Sequence, residues 1–323
     1  TTPILAEGSE DITAPDGTVN IVDSLGNPIG SQDVASGGIE TFEVVGLPCP
    51  IIPTRALTYL VNSGVSGTFD VRTGAGVVFY SVLTEDGQYF SGQTGNLTIT
   101  FPETNTEYFI EIRGSFPKPD FYATSATNRA KLLQIIQKGD IVLDANQVNS
   151  YRDCLNLHSI IPHDYPLNHI ENLAYAFDGT NIGGEFPTGT TLNSMVTGYA
   201  AFRGSNLSGI ANLDIPNATD IRSTFRDTLF EELHIQNMGN VAMVDAFTFL
   251  IPTLTKLTCD GLTKGFRIRY SPLLVGGEID NLFTSLADIS GGATEIIELT
   301  TAQNTSGITT SIATLKGWTI IVV

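Results

Sequence analysis

The chain has 323 residues, 41% of them hydrophobic and 15% charged, with 34 acids, 16 bases and 32 glycines. A formal net charge of −18 repels a phosphate backbone and argues against nucleic acid as a partner. No apolar run approaches the roughly 18 residues that a membrane-spanning helix needs. Low charge with abundant Thr, Asn, Gly and Ser suits a β-rich surface protein better than a helical enzyme.

Residues 1–17 mix Gly, Ser, Asp and Pro without periodicity and are expected to form an N-terminal arm. From Thr18 the alternation of Val19 and Ile21 predicts a strand that ends at the turn-forming Gly26-Asn27-Pro28, with the chain resuming as a strand over Ile29–Val34. Ala35-Ser36-Gly37-Gly38 turns again, and Ile39 to Val44 alternates with period two. Leu47 to Pro53 is a proline-rich connector, poor for a central strand because proline donates nothing to the ladder. Four further strands are expected at Gly67–Val71, Val77–Leu83, Leu97–Phe101 and Tyr108–Ile112. Short strands at roughly ten-residue spacing predict an Ig-like β-sandwich, as one or two modules within 18–114.

Phe116-Pro117-Lys118-Pro119 reads as a hinge, and Ser125 can cap a helix over Ala126–Lys138 with Leu132, Leu133, Ile135 and Ile136 on its apolar face and Gly139 as its stop. Residues 115–139 are thus expected to be a hinge and a helix that caps a repeat array. In 140–270 an aromatic landmark recurs at Tyr151, Phe177, Phe202, Phe225 and Phe247, at intervals of 26, 25, 23 and 22 residues. That is the length of one solenoid coil. Brief strands with two apolar residues around a polar one are expected at Leu213-Asp214-Ile215, Leu233-His234-Ile235 and Leu257-Thr258-Cys259. One coil cannot bury its Phe and Leu alone, and the next coil stacked on it can. Residues 271–323 break the pattern and read as a C-terminal cap: a strand at Glu295–Leu299, a short helix over Ile308–Lys316, and a last strand from Trp318 to Val323.

Chemistry-bearing patterns are sparse. Cys49, Cys154 and Cys259 form no CxxC pair, and the latter two suit small buried positions in the repeat. His163 and His169 flank Asp164-Tyr165-Pro166 but would need two more ligands for a metal, while His158 and His234 follow repeated leucines and read as strand positions. Arg152-Asp153 and Arg226-Asp227 recur at equivalent places, which favours a structural ion pair or turn cap over a catalytic carboxylate pair. Tyr80, Tyr89, Phe90, Tyr108, Phe121 and Tyr122 are weighed as sugar-stacking platforms against core or cross-strand packing, and packing is favoured. No GxSxG, HExxH or GxxxxGK[ST] occurs. No catalytic residue, metal ligand or cofactor is expected; the landmarks Tyr151, Phe177, Phe202, Phe225, Phe247, Leu213, Leu233 and Leu257 are core positions.

The recurring Phe with its short loop and its Leu-x-x-Leu or Leu-x-Ile strand resembles the BspA-like leucine-rich repeats. Ala313-Thr314-Leu315-Lys316-Gly317-Trp318-Thr319-Ile320 after a Thr-Thr-Ala segment looks like the terminator that comes after such repeats. The stretch Thr18 to Ile29, with Ala35 to Gly38 and Pro48-Cys49-Pro50, is similar to lead modules of virion structural proteins of phages of Bacteroidota. Together these resemblances imply a mainly β protein with short helices, an N-terminal β-sandwich followed by a leucine-rich-repeat-like solenoid with terminal caps. They imply a non-enzymatic phage virion surface protein of head-fibre, decoration or spike type, or alternatively a bacterial cell-surface adhesin. The implied partners are other virion proteins, further copies of the chain (a trimer is expected) and a host-surface glycan.

Overall fold

The structure, a computed structural model, describes the backbone at 4–5, 17–22 and 28–34 and whole residues at 56–74, 76, 78–158, 167–185, 191–244, 250–292 and 294–323. It is mainly β with short helices. The chain forms two compact units, Thr1–Pro53 and Thr54–Val323. In the first, β1 (Ile4–Leu5) runs parallel to β2 (Gly17–Val22), which pairs antiparallel with β3 (Pro28–Val34). Pro28 stands first in its strand, where a missing N–H disturbs the ladder least. The strand expected over Ile39–Val44, the connector Leu47–Pro53 and Cys49 lie outside the described residues.

The border between the units falls inside the 18–114 stretch, and Leu57 to Trp318 share one hydrophobic cluster. The second unit opens with β4 (Leu57–Asn62), β5 (Thr68–Val71), β6 (Phe79–Thr84), β7 (Tyr89–Gln93), β8 (Leu97–Thr100) and β9 (Glu107–Ser115). Four of these lie where alternation placed strands; β4 and β7 were not expected. β5 pairs with β8, and the other four join an antiparallel sheet whose far edge is β10 (Leu132–Gln137), in the order β10-β4-β9-β6-β7.

That last strand corrects the expected helix over 126–138. Ser125 does cap a helix, accepting a hydrogen bond from the Asn128 N–H, but α1 ends after one turn (Ala126–Arg129). The pairs Leu132-Leu133 and Ile135-Ile136 fit helical spacing, yet they fit equally a strand carrying bulges. Two register shifts occur here against β4, between Leu132 and Gln134 and between Ile135 and Gln137. The open edge of β4 supplies the hydrogen bonds, and β-branched isoleucines favour the extended form. Where that helix was expected to lie against the repeats, Tyr59 of β4 and Phe69 of β5 pack on Phe121, at 5.6 and 5.8 Å between centroids, and the Tyr59 and Tyr151 hydroxyls are 3.0 Å apart.

From Tyr151 onward the chain is layered. Phe121, Tyr151, Phe177, Phe202 and Phe225 stack face to face at successive centroid distances of 5.9, 5.3, 5.5 and 5.8 Å. Phe247 lies outside the described residues. On one side of the column, β11 (Gly183–Glu185), β12 (Asn206–Asp214), β13 (Leu229–Gln236) and β14 (Lys256–Cys259) form a parallel sheet in chain order. A ladder of single parallel bridges also runs Asn146, Asn172, Thr197, Asp220, Met243.

The turns that hold the rings repeat in backbone detail. Each ring's N–H donates to the carbonyl just before the next ring (Tyr151 to Ala176, Phe177 to Ala201, Phe202 to Thr224), and each ring's carbonyl accepts from the N–H three residues on. Backbone polar groups that burial would otherwise orphan are thereby paired. The residues before the rings, Ser150, Ala176, Ala201 and Thr224, are small and fully buried, which allows the layers to approach.

Leu213, Leu233 and Leu257 are buried, but not as one row. A register shift between Gly209 and Ile210 sets Leu213 opposite Ile235 and Leu233 opposite Ala211; Leu233 then meets Leu257, and Ile235 meets Cys259. β12 and β13 are also longer than the three-residue strands expected. The remainder comprises β15 (Phe266–Arg267), α2 (Gly277–Ser285), β16 (Glu295–Leu299), α3 (Thr301–Asn304), α4 (Thr310–Leu315) and β17 (Trp318–Val322), with β15-β16-β17 a separate parallel sheet. Buried Trp318 packs edge-on to Phe266 and donates its indole N–H to the Ala287 carbonyl. Gly317 precedes it at φ 88°, where a Cβ would lie 2.7 Å from the Ser290 backbone.

Candidate functional site

The layering also stacks what flanks the rings. Arg152, Asp178, Arg203 and Arg226 each come directly after a column ring, so they emerge at one level of successive layers. Tyr175 and Ala200 lie two residues before their rings, Tyr199 and Arg222 three. The result is a ladder of guanidinium and phenol planes. The Arg152 guanidinium lies 4.3 Å from the Tyr175 ring centroid and 4.6 Å from that of Tyr122. Arg129 covers Tyr122 at 5.5 Å, Arg203 reaches Tyr175 at 5.9 Å, and Arg222 sits over Tyr199 at 4.8 Å. Tyr175 and Tyr199 meet edge to face at 4.9 Å. Cation–π contacts of this kind contribute about 0.5–2 kcal/mol each as solvent is excluded.

Carboxylates hold the ladder from below. Buried Asp178 takes a bidentate pair from Arg203 at 2.8 and 2.7 Å and stands 3.4 Å from Arg152. Asp220 accepts from its own turn's Arg222 backbone N–H as well as from the Arg222 guanidinium at 3.0 and 2.8 Å, and Arg226 pairs with Asp227 at 3.2 Å. The hydrogen bond to Asp178 raises the Arg203 pKa further. The hydrogen bond to Tyr199 raises the Tyr175 pKa, against the pull of Arg152 and Arg203. Arg129 donates to the carbonyls of Tyr122 and Thr124. Five of the chain's ten arginines gather here, against Asp153, Asp178, Asp220 and Asp227. The side chains of Arg152, Arg203, Arg222 and Arg226 keep 25–39% of their surface open.

Of the residues weighed in the sequence, Arg152 and Arg226 enter ion pairs, with Asp178 and Asp227. Tyr122 joins the ladder, Tyr80, Tyr108 and Phe121 are core, and Tyr89 is exposed. The set Arg129, Tyr175, Tyr199, Arg203 and Arg222 went unread as a group. Its signal lies in offsets from the ring, visible once the rings are aligned.

His234 is in β13, 3.1 Å from the Thr258 hydroxyl and 3.5 Å from Glu232, which binds Lys256 at 2.8 Å. His158 is not in a strand: exposed, it lies 3.1 Å from the Gln134 side chain and 2.8 Å from the Asn156 carbonyl. His169 ends a 3₁₀ turn, its Nε2 3.2 Å from the Leu143 carbonyl, and His163 lies outside the described residues. Among the described residues no trio of His, Cys, Asp or Glu is placed to hold a metal. Cys154 and Cys259 are buried, and burial raises their thiol pKa values.

Two cavities carry polar groups. One of about 460 Å³ lies past the ends of β13 and β14, lined by Pro216, Asn237, Gly239, Asn240, Asp260 and Gly261, with Asp260 its one ionisable side chain. The other, about 290 Å³, contains Arg267, Glu295 and Glu298. Their charges are already matched, Arg267 to Glu298 at 2.9 Å and Glu295 to Lys264 at 3.3 Å. Neither arrangement sets a nucleophile beside a base. No helix among the described residues is long and apolar enough to cross a membrane. Comparison with protein families, with curated proteins and with solved structures returned no match.

Proposed function

We propose that this chain is a non-enzymatic phage virion surface protein of head-fibre, decoration or spike type, in which N-terminal β modules, read as Ig-like sandwiches, serve assembly. On this reading 140–270 is a leucine-rich-repeat-like solenoid displayed toward the host, where it binds a surface glycan, and several copies assemble, with a trimer expected. The observation that carries the reading is the ring column flanked by parallel ladders. Stacked layers make a long, rigid surface whose outward residues are free to vary, as display requires. Tyr59 and Phe121 at one end, and the sheet with Phe266 and Trp318 at the other, suit the terminal covers that such a stack needs. The ladder of planar cations and phenols is suited to binding.

Mass spectrometry of purified particles is the direct test: the chain is expected among the virion proteins. Its absence there, together with recovery from a bacterial envelope fraction, would replace the virion by the adhesin. The same stacked architecture serves either.

A further inference from the structure

We propose that the outer edge of β17 is an interface between two copies of this chain, joined by antiparallel pairing of β17 with β17 about a twofold axis at Ile320. The inference goes beyond the display reading and does not depend on it.

An edge strand offers unpaired N–H and C=O groups to any extended chain, and sheets are protected by short strands, bulges, charges or covers at their edges. Among the described residues the other edges of this chain have such devices. β1, β11 and β15 are two or three residues long. β7 and β10 pair with register shifts, and β3 contains Pro28 and Asp33 besides a shift. On β5 the Asn128 side chain accepts from the Asp70 N–H and donates to the Asp70 carbonyl, and on β8 Gln88 donates to the Thr100 carbonyl. β14 holds Lys256 and gives its Cys259 N–H to the Ser285 hydroxyl. β17 has none of these: its five residues, in unbroken register with β16, include no charge, proline or bulge.

The strand is also complementary to itself. The Val323 N–H donates to the Leu299 carbonyl of β16. Backbone groups alternate sides along a strand, so those of Trp318, Ile320 and Val322 point away from β16. Among the described residues no strand lies there to take them. With Ile320 opposite the partner's Ile320, Trp318 of each copy meets Val322 of the other, and the outward groups all fall in hydrogen-bonded pairs. A contact of this kind closes on itself as a twofold dimer.

Charge permits a second copy here. Two chains of net charge −18 repel each other, yet β17 lets them touch without setting like charges together. The carboxylates beside it on β16 are matched, Glu298 to Arg267 at 2.9 Å and to Arg269 at 3.4 Å, and Glu295 to Lys264 at 3.3 Å. Ile321, Val322 and Val323 are exposed, and pairing would shield them. One strand edge covers less than the roughly 1,200–2,000 Å² of stable complexes, so the dimer is expected to form and dissociate with concentration.

Sedimentation velocity of the intact chain over a wide range of concentration is expected to show a monomer–dimer equilibrium that tightens as salt screens the net charge. Val322→Pro removes an N–H that faces away from β16, a change that an edge strand tolerates. It should weaken dimerisation at least tenfold while the melting temperature stays near that of the parent. Val322→Lys should act alike by placing a charge on the edge, and is read alone should the proline variant fail to fold. Phe79→Ser with Tyr89→Ser, which removes two exposed rings of β6 and β7, should leave the equilibrium as it was. Undiminished association of a folded Val322 variant, or its loss in the Phe79–Tyr89 variant instead, would overturn the proposal. A chain found in purified particles but monomeric at every concentration would overturn it too, leaving the display reading in place. Dimerisation that depends on Val322, in a chain that particles lack, would uphold the interface and remove only the virion reading.

Discussion

Each stacked ring from Tyr151 to Phe225 is framed by two residues in the left-handed region. Asn149, Tyr175, Ala200 and Ser223 stand two before the rings, and Asp153, Gly179, Gly204 and Asp227 two after, all with φ between 52° and 67°. Gly, Asn and Asp adopt this conformation readily, whereas Tyr175 and Ala200 hold it at a cost on the order of 1–2 kcal/mol each. The interlayer hydrogen bonds and ring burial offset it. Three residues after the ring stands a small residue; the Thr180 and Thr228 hydroxyls donate back to the Phe177 and Phe225 carbonyls, whereas the buried Ser205 hydroxyl makes no hydrogen bond among the described residues. Among titratable side chains Tyr80 is instructive. Its hydroxyl donates to the Gly95 carbonyl at 2.6 Å, and burial pushes its pKa from 10.0 to about 12. Between those values the unfolded chain has lost a proton that the folded chain keeps, so stability falls as pH rises from about 10 and the fall levels off near 12. Chemical denaturation across that range should show the fall. Tyr80→Phe should flatten it, and an unchanged slope would mean that Tyr80 titrates as an exposed phenol.

At the scale of elements, the contest over 132–137 shows how a strand can imitate a helix. Ile135 is buried and Ile136 is 42% exposed, as neighbours on opposite faces of a strand must be. On the helix expected from spacing both would share the apolar face. Ile135→Ala is therefore expected to cost about 2–5 kcal/mol in urea unfolding, and Ile136→Ala about 0.5 kcal/mol or less. Equal losses would return the segment to a helix. The C-terminal elements behaved differently. The strand expected at Glu295–Leu299 is β16 at the same bounds, and α4 and β17 lie within a residue or two of their expected limits. Their boundaries carry strong local signals: the Thr300–Gln303 capping box opens α3, and Gly317 marks the entry to β17. α2 has its capping position at Gly276, without a side-chain cap, and went unread.

For the molecule as a whole, the border at Pro53 carries a consequence. Leu57, the ring column and Trp318 belong to one hydrophobic cluster, so Thr54–Val323 should fold by itself and melt in a single transition. Expressing 54–323 and monitoring far-UV circular dichroism on heating is the check. Two separated transitions would show that the sheet β10-β4-β9-β6-β7 and the layers are independent domains after all. The joint also favours a single transition: Tyr59 in the sheet and Tyr151 in the first ring layer share a hydroxyl contact and edge-on packing at 6.3 Å.

Two kinds of information were legible in the sequence by itself: local period and local chemistry. Rings at intervals of 23 to 26 residues announced the stack from Tyr151 to Phe225, alternation marked most of the described strands, and Ser125 and Gly317 marked a helix start and a turn. These arise from backbone geometry, which repeats over a few residues and leaves its mark there. Tertiary structure decided the rest, namely that 132–137 joins the edge of β4, that Leu213 faces Ile235 rather than Leu233, and that Arg152 lies between Tyr122 and Tyr175. Each depends on register between segments far apart in the chain. With layers of unequal length and a bulge in β12, one residue of slippage changes every partner, and only packing fixes which residue that is.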